Sequence, residues 1–378
     1  MMGSDLKIYV DGGNRLTKVM QELKKPFSFP TVISQAEVDL NYGLNFDQWD
    51  MEDSAETFSV DSILVEIIKD GESLGKKLVG RAAEDKGMFI RDRNRYVRKA
   101  GDEVITFSTL TGIAYNLYKY NKDKTNIDVT INQPLIEYAL DRKSSISKYE
   151  KNLKGNFKAY FYNIYNTSEV LSELSFQIQK VIFCPEAIAA YHSYAIDEYG
   201  KTKSEYKDNK KTIVWDIGSG QINVTAFDGM KILGVNTFEK GMTDCYENIS
   251  LMVYNNYRDK LDRKPFSYEI DNMIRYNNGI LKAKKGVEID TRDIIKTVFD
   301  SFAYELNKDI REFSRSKSLG NSNDIIFCGG GSTLLYEDLG KYLDNDFTCS
   351  KSNMGEFDNV IGSMYYRLFK DHNDKREE

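Results

Sequence analysis

The sequence predicts an α/β protein of two related domains, and three observations carry that prediction. A chain of 378 residues is too long for one ordinary domain and suits two. Along it, short β-branched runs bounded by turn residues alternate with segments of helical periodicity. One motif also occurs twice. Val10-Asp11-Gly12-Gly13-Asn14-Arg15-Leu16-Thr17-Lys18-Val19 and Trp215-Asp216-Ile217-Gly218-Ser219-Gly220-Gln221-Ile222-Asn223-Val224 each end an apolar strand in Asp, place Gly two residues on, and start a second strand soon after. Such an echo points to duplicated domains that face each other.

Composition narrows the function classes. With 41% hydrophobic and 29% charged residues, the chain is a soluble globular protein rather than a disordered or membrane-embedded one. Its 52 basic and 58 acidic residues give a net charge of −6, which disfavours direct nucleic-acid binding through bulk charge. The four cysteines, Cys184, Cys245, Cys328 and Cys349, lie far apart with no CxxC pair, so reduced thiols are expected. Two histidines, His192 and His372, leave little for a zinc site or a Ser-His-Asp triad. No stretch approaches the roughly 20 apolar residues that span a bilayer. Met1 to Val10 carries no basic region followed by a long apolar run. The expected location is the cytoplasm, without membrane contact.

The elements follow in order. Lys7 to Val10 is a strand closed by the turn Asp11-Gly12-Gly13-Asn14. An acidic, irregular stretch runs through Glu37, Asp39, Asp47, Asp50, Glu52, Asp53 and Glu56. Ser62 to Lys69 is a β-branched strand, and Arg91 to Lys99 is a basic cluster in a loop. From Glu103 to Tyr120, Val104, Phe107, Leu110, Thr111, Ala114, Leu117 and Tyr118 fall at helical spacing. Ile127 to Ile131 is a strand closed by Asn132-Gln133-Pro134. Lys180 to Phe183 is another, and Pro185 then sits where a first helical turn accepts it, with helix from Ala187 to Tyr199. A charged connection, Lys201 to Lys211, precedes a meander of Thr212–Ile217, Ile222–Phe227 and Lys231–Thr237 turning at Asp228-Gly229. Helical segments reach Ser316, and the strand Asp324–Phe327 enters Cys328-Gly329-Gly330-Gly331-Ser332-Thr333. A last amphipathic helix covers Phe357 to Phe369, and the charged tail from Asp371 is expected to fray.

The repeated turn has a specific chemistry. Glycines between two strands let several backbone N–H groups lie against a phosphate, because no Cβ blocks the approach. Lys18 adds a point charge to the same anion. Asp11 and Asp216 would flank it through a Mg²⁺ and its waters, since a carboxylate against a bare phosphate is repelled. A dinucleotide fingerprint does not fit: after Gly218-Ser219-Gly220 the third glycine is missing, and Ile222 to Phe227 alternates as a strand where a helix is required. No GxxxxGK[ST] loop occurs. Gly329-Gly330-Gly331-Ser332 forms either a close-approach surface for a nucleoside ring or a plain strand-to-helix turn. Glu186, after Pro185, is a candidate to orient water for in-line attack on a terminal phosphate. It reads equally as an acidic residue favourable to a helix N-terminus.

Phosphate turn, strand–Pro–Glu–helix, second phosphate turn and Gly-Gly-Gly, in that order, resemble the actin, sugar kinase and heat-shock chaperone ATPase superfamily. The likeness is greatest to the ParM-type plasmid-segregating bacterial actins. Asp128 to Tyr138 resembles their strand leading into Pro-Leu-x-Glu-Tyr, Lys148 to Lys154 their Glu-Arg-Lys-Lys helix, and Val181 to Tyr191 their Pro-Glu-Ser-Ile-Pro-Ala-Gly-Tyr segment. Tyr268 to Arg275 and Glu356 to Tyr365 also have counterparts. The resemblance runs from about residue 5 to 370 and is weakest between 30 and 100, the variable small subdomain of such proteins.

It implies an actin-like ATPase fold: two related ribonuclease H-like domains around a nucleotide cleft, each with a variable subdomain. Residues 1–196, completed by a C-terminal helix at 357–370, would form domain I, and 197–356 domain II. Asp11, Gly13, Asn14 and Lys18 would make the first phosphate loop; Asp216, Gly218, Ser219, Gly220 and Gln221 would make the second. Glu186 would position water, with Asp216 helping through the metal. Gly329, Gly330, Gly331 and Ser332 would bracket the adenosine or guanosine of ATP or GTP, and Arg275 would cover the base. Gln221 stands where many relatives have Thr, and Asn132-Gln133 precede Pro134 where one residue is usual.

The implied function is a cycle: nucleotide and Mg²⁺ close the two domains, the closed shape builds a helical filament of the protein itself, and hydrolysis of the γ-phosphate loosens it. Plasmid DNA would be met through a ParR-type DNA-binding adaptor on the centromere, which agrees with the acidic balance here. The alternative is a small-molecule kinase or exopolyphosphatase-like enzyme of the same fold, for which no substrate-base motif is visible. A chaperone is disfavoured because nothing of substrate-domain length follows residue 370. A membrane tether is disfavoured because the charged tail lacks an apolar face. The stretches Glu37–Glu56 and Arg91–Lys99 are opposite in sign and read either as filament contacts or as plain solvated surface.

Overall fold

The opening strand β1 (Leu6–Gly12) buries Ile8, Tyr9 and Val10 completely, ends in the glycine turn, and returns antiparallel as β2 (Leu16–Gln21), with Asp11 opposite Lys18. The computed structural model to which these elements belong describes residues 6–35, 59–86, 91–92, 98–120, 126–207, 210–283, 286–317, 324–343 and 347–377. The chain divides into two units: Met1–Lys201 with Asn359–Glu378, and Thr202–Asp358.

In the first unit, the chain continues as β3 (Phe27–Pro30), β4 (Val32–Gln35), β5 (Ile63–Lys69), β6 (Glu72–Val79), α1 (Arg81–Lys86) and β7 (Arg91–Asp92). Then follow α2 (Glu103–Tyr120), β8 (Asn126–Gln133), α3 (Leu135–Leu140), α4 (Arg142–Leu153), β9 (Gly155–Tyr162), β10 (Val170–Pro185) and α5 (Ile188–Ala195). Ten strands form one sheet in the order β3-β2-β1-β8-β10-β9-β5-β6-β4-β7. Helix α2 spans the residues its periodicity predicts, and from Val104 to Leu117 every residue but Thr106 is buried. A helix without a polar face belongs inside a core, and this one packs with β1, β2 and β8 side chains in a single apolar cluster.

The second unit holds β11 (Lys211–Ile217), β12 (Ile222–Asp228), β13 (Lys231–Phe238), α6 (Met242–Asn256), α7 (Ser267–Tyr276), β14 (Ile280–Lys282) and β15 (Glu288–Asp290). It continues with α8 (Arg292–Ser316), β16 (Asp324–Cys328), α9 (Ser332–Leu343) and β17 (Thr348–Lys351). Its main sheet runs β13-β12-β11-β16-β17. In both units an antiparallel three-strand meander is extended by two parallel strands: β1 pairs parallel with β8 and β8 with β10, as β11 does with β16 and β16 with β17. The first unit's core order β3-β2-β1-β8-β10 is thus the second unit's order repeated. The motif echo in the sequence is the trace of a duplicated five-stranded core, with Trp215 at its centre in the second copy, fully buried and stacked on Phe238.

Local reading misplaces three segments. β10 runs through Pro185, and α5 starts only at Ile188 and ends at Ala195, so the expected helix from Ala187 to Tyr199 is shorter at both ends. The hairpin β14–β15 interrupts the region expected to be helical. The tail expected to fray from Asp371 instead continues α10 (Asp358–Glu377), where Asp371 accepts a bond from Lys7 at 3.2 Å.

From Asn359 on, α10 belongs to the first unit. His192 of α5 is buried there, its Nδ1 2.7 Å from the Ile188 carbonyl and its ring edge-on to Tyr366 and Phe369 of α10. Burial lowers its pKa from 6.5 to about 4. Because the folded value lies below the unfolded one, the unfolded chain takes up the proton first, and stability falls as pH drops from 6.5 toward 4. At ~1.4 kcal/mol per pKa unit, the loss reaches about 3 kcal/mol at the acid end. His192→Phe should flatten that part of the stability–pH curve in denaturant titrations; an unchanged slope would assign it to other groups.

Candidate functional site

Both glycine hairpins close in the same way. The Gly13 N–H donates to the Leu16 carbonyl at 3.0 Å, and the Gly218 N–H to the Gln221 carbonyl at 3.0 Å. A Cβ on Gly13 would lie 2.6 Å from the Leu16 oxygen, and one on Gly218 2.7 Å from the Gln221 oxygen, so neither turn admits a side chain. This register makes Asp11 equivalent to Asp216, Asn14 to Ser219 and Lys18 to Asn223. Both aspartates are buried. In the first unit Lys18 Nζ donates to Asp11 Oδ2 at 2.8 Å, which keeps a cation beside the turn. In the second, the carbonyls of Gly218 and Ser219 take the first N–H groups of α6, from Met242 at 3.1 Å and Thr243 at 2.8 Å. The Ser219 hydroxyl lies 2.9 Å from that of Thr243. Gly220 completes the turn, and the Gln221 amide donates to both oxygens of Glu239, at 3.0 and 2.9 Å.

The triple-glycine turn leads from β16 into α9. Gly329 is left-handed at φ 80°, and a Cβ there would stand 2.4 Å from Asp216 Oδ1. A Cβ on Gly331 would stand 2.5 Å from Ile217 Cγ2, whereas Gly330 is the most open of the three, with its nearest neighbour Arg275 Nη2 at 3.6 Å. The turn therefore wraps the end of β11 next to Asp216. Ser332, fully buried, donates to the Gly329 carbonyl at 2.8 Å. Arg275 reaches the turn from α7: Nη2 donates to the Gly330 carbonyl at 3.3 Å, and Nε to Asp271 at 2.7 Å. Burial works against the guanidinium's charge, but the Asp271 carboxylate holds its pKa above the ordinary value. Next to the turn, burial and the Asp216 and Asp358 carboxylates raise the Cys328 thiol well above its usual range.

Glu186 is placed by strand and turn together. β10 pairs with β8 through Pro185 opposite Gln133, and the Glu186 N–H then donates to the Gln133 carbonyl at 2.9 Å. Ala187 follows in the left-handed region at φ 63°, its N–H donating to Asn359 Oδ1 at 3.2 Å. A non-glycine residue there is strained, and that strain turns the chain between strand and helix. Glu186 thus precedes the helix instead of standing in its first turn. The side chain is buried, with Lys99 Nζ donating to Oε1 at 2.6 Å.

Within each unit, then, the predicted residues gather: Asp11, Gly13, Asn14 and Lys18 in one hairpin, and Asp216, Gly218, Ser219, Gly220, Arg275 and Gly329 to Ser332 around another. Gln221 turns instead toward Glu239. Lys99 and Glu137 carry no site signal of their own in the sequence. Lys99 belongs to the basic run expected on the surface, yet it is buried, while Arg91 pairs with Glu103 at 3.0 Å and Arg98 with Asp141. Residues 93–97 and the acidic stretch 36–58 lie outside the described residues. Among the described residues no three His, Cys, Asp or Glu side chains cluster to hold a metal ion. No helix among them is long and apolar enough to cross a membrane.

A family model described as the N-terminal domain of actin-like proteins matches residues 10–188. No curated protein matches the sequence. Among solved structures, a 15-stranded ParM filament from Clostridium botulinum is similar, with a TM-score of 0.73 and 19% identity over 97% of this chain and 99% of that one. An archaeal actin homologue has a TM-score of 0.68 and 15% identity over 98% and 99% of the two chains. Bacillus thuringiensis ParM with ATP has a TM-score of 0.66 and 15% identity over 98% and 100%.

Proposed function

We propose, from the match of residues 10–188 to a family model of actin-like N-terminal domains and from the fold the chain shares with solved ParM structures, that this protein is a filament-forming nucleoside triphosphatase that moves plasmid DNA. The single observation that carries the reading is the pair of hairpins with one backbone geometry, each closed over a glycine and each carrying a buried aspartate. A turn that rejects a Cβ fits a phosphate held by backbone N–H groups. Asp11, Gly13, Asn14 and Lys18, with Asp216, Gly218, Ser219 and Gly220, would take the phosphates of ATP or GTP. Asp11 and Asp216 would meet a Mg²⁺ through its waters, the ion staying mainly on phosphate oxygens. A Mg²⁺ bound there would supply charge neutralisation for the transferred phosphoryl group.

The remaining roles belong to the chain's own side chains. Glu186 would orient the attacking water. The open Gly330, with Arg275 bonded to its carbonyl, would receive the nucleoside. The likeness to a ParM filament supports self-association into a helical filament, and a ParR-type adaptor would supply the centromere contact. Sedimentation tests this: with Mg²⁺ and ATP or GTP the protein should pellet, and without nucleotide it should stay in the supernatant. Persistent monomers at tens of micromolar would sink the filament reading. Turnover strictly dependent on an added sugar would replace it with a small-molecule kinase on the same fold.

A further inference from the structure

We propose that Lys99 is the positioning residue of Glu186, holding its carboxylate in the orientation that hydrolysis needs. The proposal rests on the reading of Glu186 as the residue that orients water.

The observation behind it is a closed circuit of hydrogen bonds. The Gln133 amide donates to Ser145 Oγ at 2.6 Å, and Ser145 donates to Glu137 Oε2 at 3.1 Å. Glu137 Oε1 accepts the Lys99 backbone N–H at 2.6 Å, and Oε2 that of Ala100 at 3.4 Å. Lys99 Nζ donates to Glu186 Oε1 at 2.6 Å, and the Glu186 N–H returns to the Gln133 carbonyl at 2.9 Å. Gln133, Ser145, Glu137, Lys99 and Glu186 are all buried. They come from β8, α4, α3, the turn before α2 and the turn after β10, so five separate pieces of chain close the circuit, and Lys99 is its member that reaches the Glu186 carboxylate.

Geometry of this kind favours positioning over bulk stability. A buried ion pair is poor evidence of stabilisation, because desolvation opposes its attraction, and it is best retained where it specifies one arrangement. Lys99 is itself specified, since Glu137 clamps its backbone while its ammonium clamps Glu186. Remove the ammonium, and Glu186 keeps its backbone bond to Gln133 but loses the 2.6 Å contact at Oε1. A misplacement of about 1 Å in such a group costs on the order of a hundredfold in rate.

The experiment is steady-state phosphate release by the full chain with Mg²⁺ and ATP or GTP, on Lys99→Met, Lys99→Arg, Glu186→Gln and the double variant Lys99→Met/Glu186→Gln. Lys99→Met should lower kcat on the order of a hundredfold with KM for nucleotide held, and Lys99→Arg should recover part of the loss, because a cation again meets Oε1. The double variant should be no slower than Glu186→Gln alone, since a lysine that acts through Glu186 has nothing left to position. Parent-like kcat in Lys99→Met beside a slow Glu186→Gln would overturn the proposal alone. Parent-like kcat in Glu186→Gln would overturn the reading of Glu186 as well. Should Lys99→Met not fold, Glu137→Gln takes its place. It leaves the ion pair but removes an acceptor from the clamp on Lys99 and Ala100, so kcat should again fall with KM held, and an unchanged kcat would overturn the proposal.

Discussion

Glu186→Gln should leave nucleotide-dependent filaments intact and slow phosphate release from them by about 10²–10⁴-fold, the usual worth of a positioned acid–base group. At ~1.4 kcal/mol per factor of ten, that is roughly 3–5 kcal/mol of barrier. The substitution keeps the shape of the side chain and a carbonyl oxygen for Lys99, which donates to Oε1 at 2.6 Å in the parent, so the segment need not rearrange. What is lost is the negative charge that draws a proton from water. Pelleting with nucleotide should therefore match the parent while a phosphate-release assay lags, and the filaments should outlast the parent's. If the variant failed to bind nucleotide, Glu186 would be serving the ligand instead of the water. Release at the parent rate would leave the chemistry to other groups near the turns.

The difference between what was legible in the sequence and what was not follows the range of the interactions involved. Hairpin turns are local: Gly13 and Gly218 are read from their neighbours, and the bonds that close them span three residues, Gly13 to Leu16 and Gly218 to Gln221. Helix α2 is local too, since its apolar spacing is visible without a partner. Glu186 is not. Pro185 has the composition of a helix start, but its neighbour Gln133 on β8 lengthens the parallel ladder by one more bond and carries the strand through the proline. Lys99 is hidden for the same reason: it sits in a basic run whose other described members are at the surface, and its partner lies 87 residues away. The alternation of buried and open residues in β9 (Phe157, Ala159 and Phe161 inward) was available as a period-two signal, although the fold does not use that strand near the glycine turns. Charge runs and proline positions mislead where tertiary pairing overrides them, and here that happens at the candidate site itself.

A single methyl group should have the largest effect on stability. Gly362→Ala in α10 reads from sequence as an improvement, because alanine is favoured over glycine in a helix by about 1 kcal/mol. The structure reverses the sign. A Cβ at Gly362 would stand 1.8 Å from the Ala189 carbonyl oxygen, 2.3 Å from its carbon and 3.0 Å from the Ala190 nitrogen. All three atoms are backbone in α5, so no side-chain rotation relieves the contact. The helix must move away instead, and α10 is held on that face by three further bonds: Asn359 accepting from Ala187 at 3.2 Å, Ser363 donating to Asn132 at 2.8 Å, and the buried pair of Arg367 with Asp128 at 2.6 Å. Overpacking alone costs about 1–3 kcal/mol, and disrupting a buried charge pair costs about 3–5 kcal/mol. Either exceeds the propensity gain once the helix shifts, so a net loss of about 3 kcal/mol is expected. In a domain of this size each kcal/mol lowers Tm by roughly 2–4 °C, which makes the drop on the order of 6–12 °C. A thermal melt reads it directly, and cleavage near α10 under limited proteolysis should appear at the same time. A Tm equal to or above the parent's would mean that α10 can withdraw from α5 without cost. The Asn359 contact to the Ala187 N–H would then not be the anchor that holds the chain beside Glu186 in place.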